Sequence, residues 1–182
     1  PLLTPLSLGP ANPFPRLINR SLNIAFALKS KENGNDEKNI AFIQLPLILP
    51  RFLPLSQKNN FRFVLIEQVI ISLAEIIFPG FIVEAANTFR ITRDADFEIA
   101  EDEADDLLSE IAEQVRQRNW GKAPVRLEAT AKMPEYLVTL LMKSLELEPN
   151  DVYIHNRPLN LSDFMELMKI DKRNLKDQPF IS

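Results

Sequence analysis

With 182 residues, 46% hydrophobic and 25% charged, the chain has the length of one domain and enough apolar side chains to form a core without covalent staples. It contains no cysteine and one histidine, which excludes disulfides, thiolate metal sites, cysteine nucleophiles and multi-histidine metal clusters. A net charge of −4 is opposite to the basic face that nucleic acid needs, and no apolar run reaches the about 18 residues that span a bilayer.

The longest apolar stretch, Phe63–Phe78, is interrupted by Glu67, Gln68 and Glu75. The start, broken by Pro1, Pro5 and Pro10 and lacking a basic lead, has none of the features of a signal peptide. A cytoplasmic protein without nucleic-acid partners or transmembrane segments is expected. A chain that opens on proline instead of methionine is the form expected of a domain taken from a longer polypeptide, and equally of a processed chain.

Residues 1–20 hold five prolines, and proline fixes φ and removes a donor, so an extended leading segment is expected there. Residues 21–182 read as a single α+β domain. From Leu22, apolar residues alternate (Leu22, Ile24, Phe26, Leu28) with Asn23 and Lys29 on the other side, which predicts a strand buried on one face. The polar run Lys31–Lys38, with Asn33-Gly34, turns the chain into a second strand at Ile40–Leu45 and so makes a hairpin. Leu45–Leu55 carries prolines at 46, 50 and 54, too many missing donors for a central strand, and reads as an edge or a covered loop.

Phe61–Leu65 reads as a short strand. Ile66, Val69, Ile70, Leu73, Ala74 and Ile77 then follow helical spacing up to Pro79-Gly80, and the additional Ile71 and Ile76 predict burial on more than one side. In Phe81–Ile99, Phe89, Ile91, Ala95, Phe97 and Ile99 alternate with Arg90, Thr92, Asp94, Asp96 and Glu98, the pattern of a long bent strand or a tight hairpin. Ala104, Leu107, Leu108, Ile111, Ala112 and Val115 define a helix with an acidic first turn, a basic last turn and Gly121 beyond its end.

Val125, Leu127 and Ala129 alternate with Arg126 and Glu128 as a strand, and Pro134 opens a helix through Leu137, Leu140, Leu141 and Leu145. Val152–Ile154 is a short strand. Asn160 or Ser162 caps a last helix carrying Phe164, Met165 and Met168. The sum is an α+β fold: a mixed or antiparallel sheet with three to four amphipathic helices packed on it.

Glycines at 9, 34, 80 and 121 never take the spacing of a phosphate-cradling loop, and no nucleophile elbow is present. The single histidine, His155, follows a strand beside Asn156 and Arg157 and reads as a surface or hydrogen-bonded structural residue. The acidic run Glu101–Asp106 opens an amphipathic helix, where acids complement the helix dipole, and reads as a solvated helix start instead of a cation site. Arg90 and Arg93 are the candidates for substrate binding, because planar guanidinium donors match two phosphate oxygens at once. The structural alternative is ion pairing with Asp94, Asp96 or Glu98 on the same sheet. No catalytic and no metal-ligating residues are expected.

Seven stretches together resemble the middle, or head, domain of bacterial polyphosphate kinases that work through a phosphohistidine. They are LTPLSLGPANPFP (Leu3–Pro15), QLPLILPRF (Gln44–Phe52), FRFVLIE (Phe61–Glu67), FPGFIV (Phe78–Val83), FRITRDADFEIAEDEADDLL from Phe89, LNLSDF (Leu159–Phe164) and LKDQPF (Leu175–Phe180). The pairing of RITRDAD with DEADDLL is the most specific of them. The resemblance implies a parent chain with a helical N-terminal domain, this domain, and two C-terminal domains similar to phospholipase D.

It further implies a reversible transfer of the terminal phosphate of ATP to polyphosphate with magnesium. The nucleophilic histidine, the metal ligands and most nucleotide contacts would lie in the C-terminal pair, with an adenine contact in the N-terminal domain. None of those positions has a counterpart here, so His155 is not the implied phosphoacceptor, and no cofactor is expected in this segment. Implied partners are the other domains of the same polypeptide, a second copy in a homodimer or higher oligomer, and ATP and polyphosphate in the whole enzyme. The domain's implied role is a scaffold for self-association and for one wall of the active-site tunnel. The alternative is a free-standing α+β protein-interaction module.

Overall fold

The computed structural model describes residues 3–8, 14–31, 38–56, 62–94, 123–172 and 175–177. Among them, a six-stranded sheet is formed by β1 (Leu6–Leu8), β2 (Leu22–Ser30), β3 (Lys38–Gln44), β6 (Phe81–Arg93), β7 (Pro124–Thr130) and β8 (Val152–His155). Their order across the sheet is β1-β3-β2-β6-β7-β8. All neighbours are antiparallel except β7 and β8, which run parallel. A parallel pair needs a crossover, and helix α3 (Glu135–Ser144) supplies it. A separate hairpin of β4 (Phe52–Ser56) and β5 (Arg62–Leu65) leads directly into the short helices α1 (Ile66–Ser72) and α2 (Ala74–Ile77). This is the mixed-sheet α+β fold that the alternation of patterns predicts.

Two cores lie on opposite faces of the sheet. On one, Ala25, Ala27, Ile40, Phe42, Phe89 and Ile91 pack under Leu137 and Leu141 of α3. On the other, Leu22, Ile24, Phe26, Ala41 and Ile43 pack under Ile66, Ile70, Ala74 and Phe78. Register explains how β2 and β3 fill both faces: Ala25 lies opposite Phe42, Phe26 opposite Ala41, and Ala27 opposite Ile40. In these three pairs a large side chain faces an alanine, which leaves room for both layers to pack closely. Phe42 extends its contacts edge-on to Phe89 at 5.7 Å, and Phe26 packs on Phe78 at 5.0 Å.

The predicted one-sided burial of β2 is therefore corrected. The strand is central and covered on both sides, and Asn23, expected on an open face, is fully buried. Its amide is satisfied because Nδ2 donates to the Ser21 carbonyl at 2.9 Å. The proline-rich leading segment lends Leu6 and Leu8 to the sheet through β1, and Leu17 is buried in the same core.

The predicted helix from Ile66 is also corrected, because it breaks at Leu73 into α1 and α2. Ile76, expected to be buried, is exposed. The turn that follows needs a left-handed residue, which Gly80 supplies at φ +85°. The long alternating segment is one continuous strand, β6, as far as Arg93. The predicted helix from Ala104 and the acidic run at 101–106 lie outside the described residues.

The last predicted helix is a 3-10 segment, Leu161–Lys169. It does not bury its methionines: Met165 is 68% and Met168 59% exposed. Asn160 precedes it at φ 52°, a left-handed conformation that asparagine tolerates better than most residues. Its side chain does not cap the backbone. Instead, Nδ2 donates to Asp163 Oδ2 at 2.8 Å.

Candidate functional site

The face carrying Phe26 changes character halfway across the sheet. On β2 and β3 it is apolar and lies under α1 and α2. On β6, β7 and β8 the register continues the same face as Thr88 and Arg90, then Glu128 and Thr130, then Tyr153 and His155. In the strand pairing, Arg90 lies opposite Glu128, and Glu128 opposite Tyr153. One row further along, Thr130 lies opposite His155.

Glu128 is the hub of this polar half. Arg90 Nη1 donates to its Oε2 at 3.1 Å, and Arg126 Nη2 donates to Oε1 at 3.4 Å. His155 Nε2 lies 3.5 Å from the same Oε1. Arg90 is fixed a second time, by donation from Nε to the Arg20 carbonyl at 3.1 Å. The guanidinium of Arg126 stacks over Tyr153, 4.2 Å from the ring centre, a favourable use of the ring's negative face.

A groove runs beside this hub. One part, about 300 Å³, is lined by Arg90, Glu128, His155 and Arg157, with Asn160 and Ser162. It continues past His155 and Arg157 into a part of about 380 Å³ that takes in Lys132, Thr130, Thr88, Asn87 and Asn156. Glu67 also reaches this second part, but its charge is already matched.

That match is a buried cluster around Arg51, which is 4% exposed. Arg51 Nη2 donates to Glu67 Oε1 at 2.7 Å, while Nη1 donates to the Asn160 carbonyl at 2.7 Å and to Asp163 Oδ2 at 3.1 Å. Phe164 lies under the guanidinium at 5.5 Å and packs edge-on against Phe52 at 5.0 Å. One arginine thereby ties β4, α1 and the start of the 3-10 segment together.

Arg90 and Arg93, the two arginines singled out from the sequence, stand on opposite faces of β6 and do not form one site. Arg90 pairs with Glu128, the residue directly opposite it on the neighbouring strand. Asp96 and Glu98 lie outside the described residues. Arg93 borders a shallow depression with Phe14, Arg16 and Glu146. Burial, with the Arg16 charge second, pushes its guanidinium below the ordinary arginine value.

His155 is half-buried, its Nε2 close to Glu128 but without a hydrogen-bond partner among the described residues. The residues that sequence reasoning passed over are Arg51, Glu67, Lys132 and the hub role of Glu128. For two of them a signal was present. Arg51 and Glu67 are opposite charges set in two otherwise apolar stretches, and such charges require a partner to be buried. Among the described residues, no group of three or more histidine, aspartate or glutamate side chains converges as a metal site would require. No helix among them is long and apolar enough to cross a membrane.

The architecture is an α+β fold in which, among the described residues, the buried Arg51 and Glu67 pair with each other. Residues 1–167 match the family model described as the polyphosphate kinase middle domain, and the chain belongs to this family. It is 39% identical to a polyphosphate kinase of Aphanizomenon baltica, over 98% of this chain and 48% of that one. It is 40% identical to polyphosphate kinase 1 of Chlorobaculum tepidum, over 100% of this chain and 26% of that one. The chain thus spans between a quarter and a half of the length of these relatives. The crystal structure of a polyphosphate kinase from Porphyromonas gingivalis superposes with a TM-score of 0.70 over all of this chain and 26% of that one. At 21% identity this is a likeness of fold alone.

Proposed function

We propose that this chain is the framework domain of an ATP–polyphosphate phosphotransferase, a cytoplasmic enzyme that reversibly transfers the terminal phosphate of ATP to polyphosphate through a phosphohistidine. The reactive histidine, the ATP contacts and the magnesium ligands belong to other domains of the parent polypeptide. The observation that carries the reading is the middle-domain match over residues 1–167.

The side chains are in keeping with it. Phosphoryl transfer needs a nucleophile with positioned cations and metal ligands. His155 Nε2 is buried, which keeps a phosphorus atom from approaching it in line. Of the two candidate polyphosphate contacts, Arg90 has the better position, beside an open groove. Arg93 lies on the other face, next to another arginine.

The framework role includes self-association. Leu47 and Ile48 stand 84% and 81% exposed in the turn before β4, apolar area that a second copy or a neighbouring domain would remove from water. The decisive assay supplies the purified 182-residue chain with ATP and magnesium. The expected result is a folded protein that makes no polyphosphate, and turnover by this chain would overturn the proposal. Sedimentation of the same sample should show a species heavier than the monomer; a monomer at all concentrations would remove self-association from the role of this domain.

A further inference from the structure

We propose that the groove between the β7–β8 edge and residues 155–162 is a binding site for a chain of linked phosphates, held by Lys132 and Arg157 with Arg90 at its far end. The argument begins with charge. Two carboxylates reach the groove, and both are already engaged: Glu67 by Arg51 at 2.7 Å, Glu128 by Arg90 and Arg126 at 3.1 and 3.4 Å. Lys132 and Arg157 also line it, and among the described residues neither has an ion-pair partner. After internal pairing the groove therefore keeps two full positive charges, in a chain whose net charge is −4.

Shape and donors narrow the ligand. The two parts of the groove join at His155, Arg157 and Pro158, so Arg157 borders both, with Lys132 in one part and Arg90 in the other. Thr88, Thr130, Asn87 and Asn156 add hydroxyl and amide donors between the cations. A sequence of cations and neutral donors along an elongated depression suits an anion that repeats its charge along its length better than a single small ion. The lining offers one aliphatic wall, Leu65 and Ile71, but no aromatic platform for a base. Linked phosphates without a nucleobase are the class that fits.

This inference rests on the framework reading for its ligand, and its test separates the two. The intact chain is titrated calorimetrically with inorganic polyphosphate, ATP and sulfate at low and moderate salt. Polyphosphate should bind, more weakly as salt rises, and more tightly than ATP or sulfate.

Replacing Lys132 and Arg157 together by alanine should weaken polyphosphate binding about tenfold or more, since each removes a charge-assisted contact. Both side chains are exposed and unpaired, so circular dichroism and the melting curve should stay as in the parent. Arg157→Lys should retain part of the affinity, and Glu128→Gln should raise it by releasing Arg90 from its ion pair. Absence of polyphosphate binding, unchanged affinity in the double variant, or equal affinity for ATP would each overturn the site. None of these outcomes bears on the framework proposal, which fails only if the chain itself turns over ATP.

Discussion

One face of the sheet is used in two opposite ways. Under α1 and α2, the strands β2 and β3 present Ile24, Phe26, Ala41 and Ile43, all buried. On the same face, β6, β7 and β8 present Thr88, Arg90, Glu128, Thr130 and His155 beside an open groove. The alternation in each strand is similar, and what differs is the cover. Helices α1 and α2 continue directly from the β4–β5 hairpin and cover β2, β3 and the Phe81–Ala86 part of β6, while Glu67, Gln68 and Ile71 of α1 only border the groove over the polar half. The two halves also treat arginine differently. Arg51 sits at the inner edge, buried and saturated by Glu67, Asp163 and a carbonyl, while Arg90 keeps one side toward the groove.

The covered half should carry most of the stability. Phe26→Ala removes a fully buried ring that packs on Phe78, and a loss of about 3–5 kcal/mol is expected from urea unfolding. A loss near the value for a surface substitution would show that this core is loosely packed.

Arg51→Ala comes next. It leaves Glu67 buried without its cation and should cost about 3 kcal/mol. Most of that cost is the stranded carboxylate, so Arg51→Met combined with Glu67→Leu should recover much of it. If the double variant is as unstable as the single one, the anchoring of Asn160 and Asp163, and not the Glu67 charge, is the cluster's main contribution.

On the open half the same kind of change should be mild. Arg90→Met deletes one ion pair and one carbonyl contact, but Arg126 still neutralises Glu128, and water reaches the site. A loss of about 1 kcal/mol is expected. A loss as large as that of Arg51→Ala would mean that this half is effectively buried and would abolish the contrast between the two halves.

Much of this contrast could be read before any coordinates. The hairpin of β2 and β3, the strand at Val125, and the helix after Pro134 follow from period-two and period-3.6 spacing with their turn residues. Two-sided burial of β2 could not be read, because Ala25 and Ala27 are too small to mark a face by hydropathy. They become core only when Phe42 and Ile40 are placed opposite them. The groove was illegible for a related reason. Lys132 and Arg157 are 25 positions apart, and the parallel pairing of β7 with β8 through α3 brings their loops together. The Arg51 cluster joins residues 51, 67 and 163 in the same manner. Local pattern reports which residues want cover or a partner, and topology decides which they receive.

The 3-10 segment gives the smallest effect and the sharpest check on this division. The sequence places Phe164, Met165 and Met168 on the apolar stripe of a helix, yet only Phe164 packs inward, on Phe52 and beneath Arg51. Three residues per turn set a different stripe from 3.6, and the clamp from Arg51 to Asn160 and Asp163 fixes which residue turns in. Met165→Gln together with Met168→Gln should therefore change stability by less than about 0.5 kcal/mol in the isolated chain. The same pair of substitutions in the full-length protein reads something else. If stability falls there and not in the isolated chain, a neighbouring domain covers the two methionines; if it is unchanged in both, the segment faces water throughout.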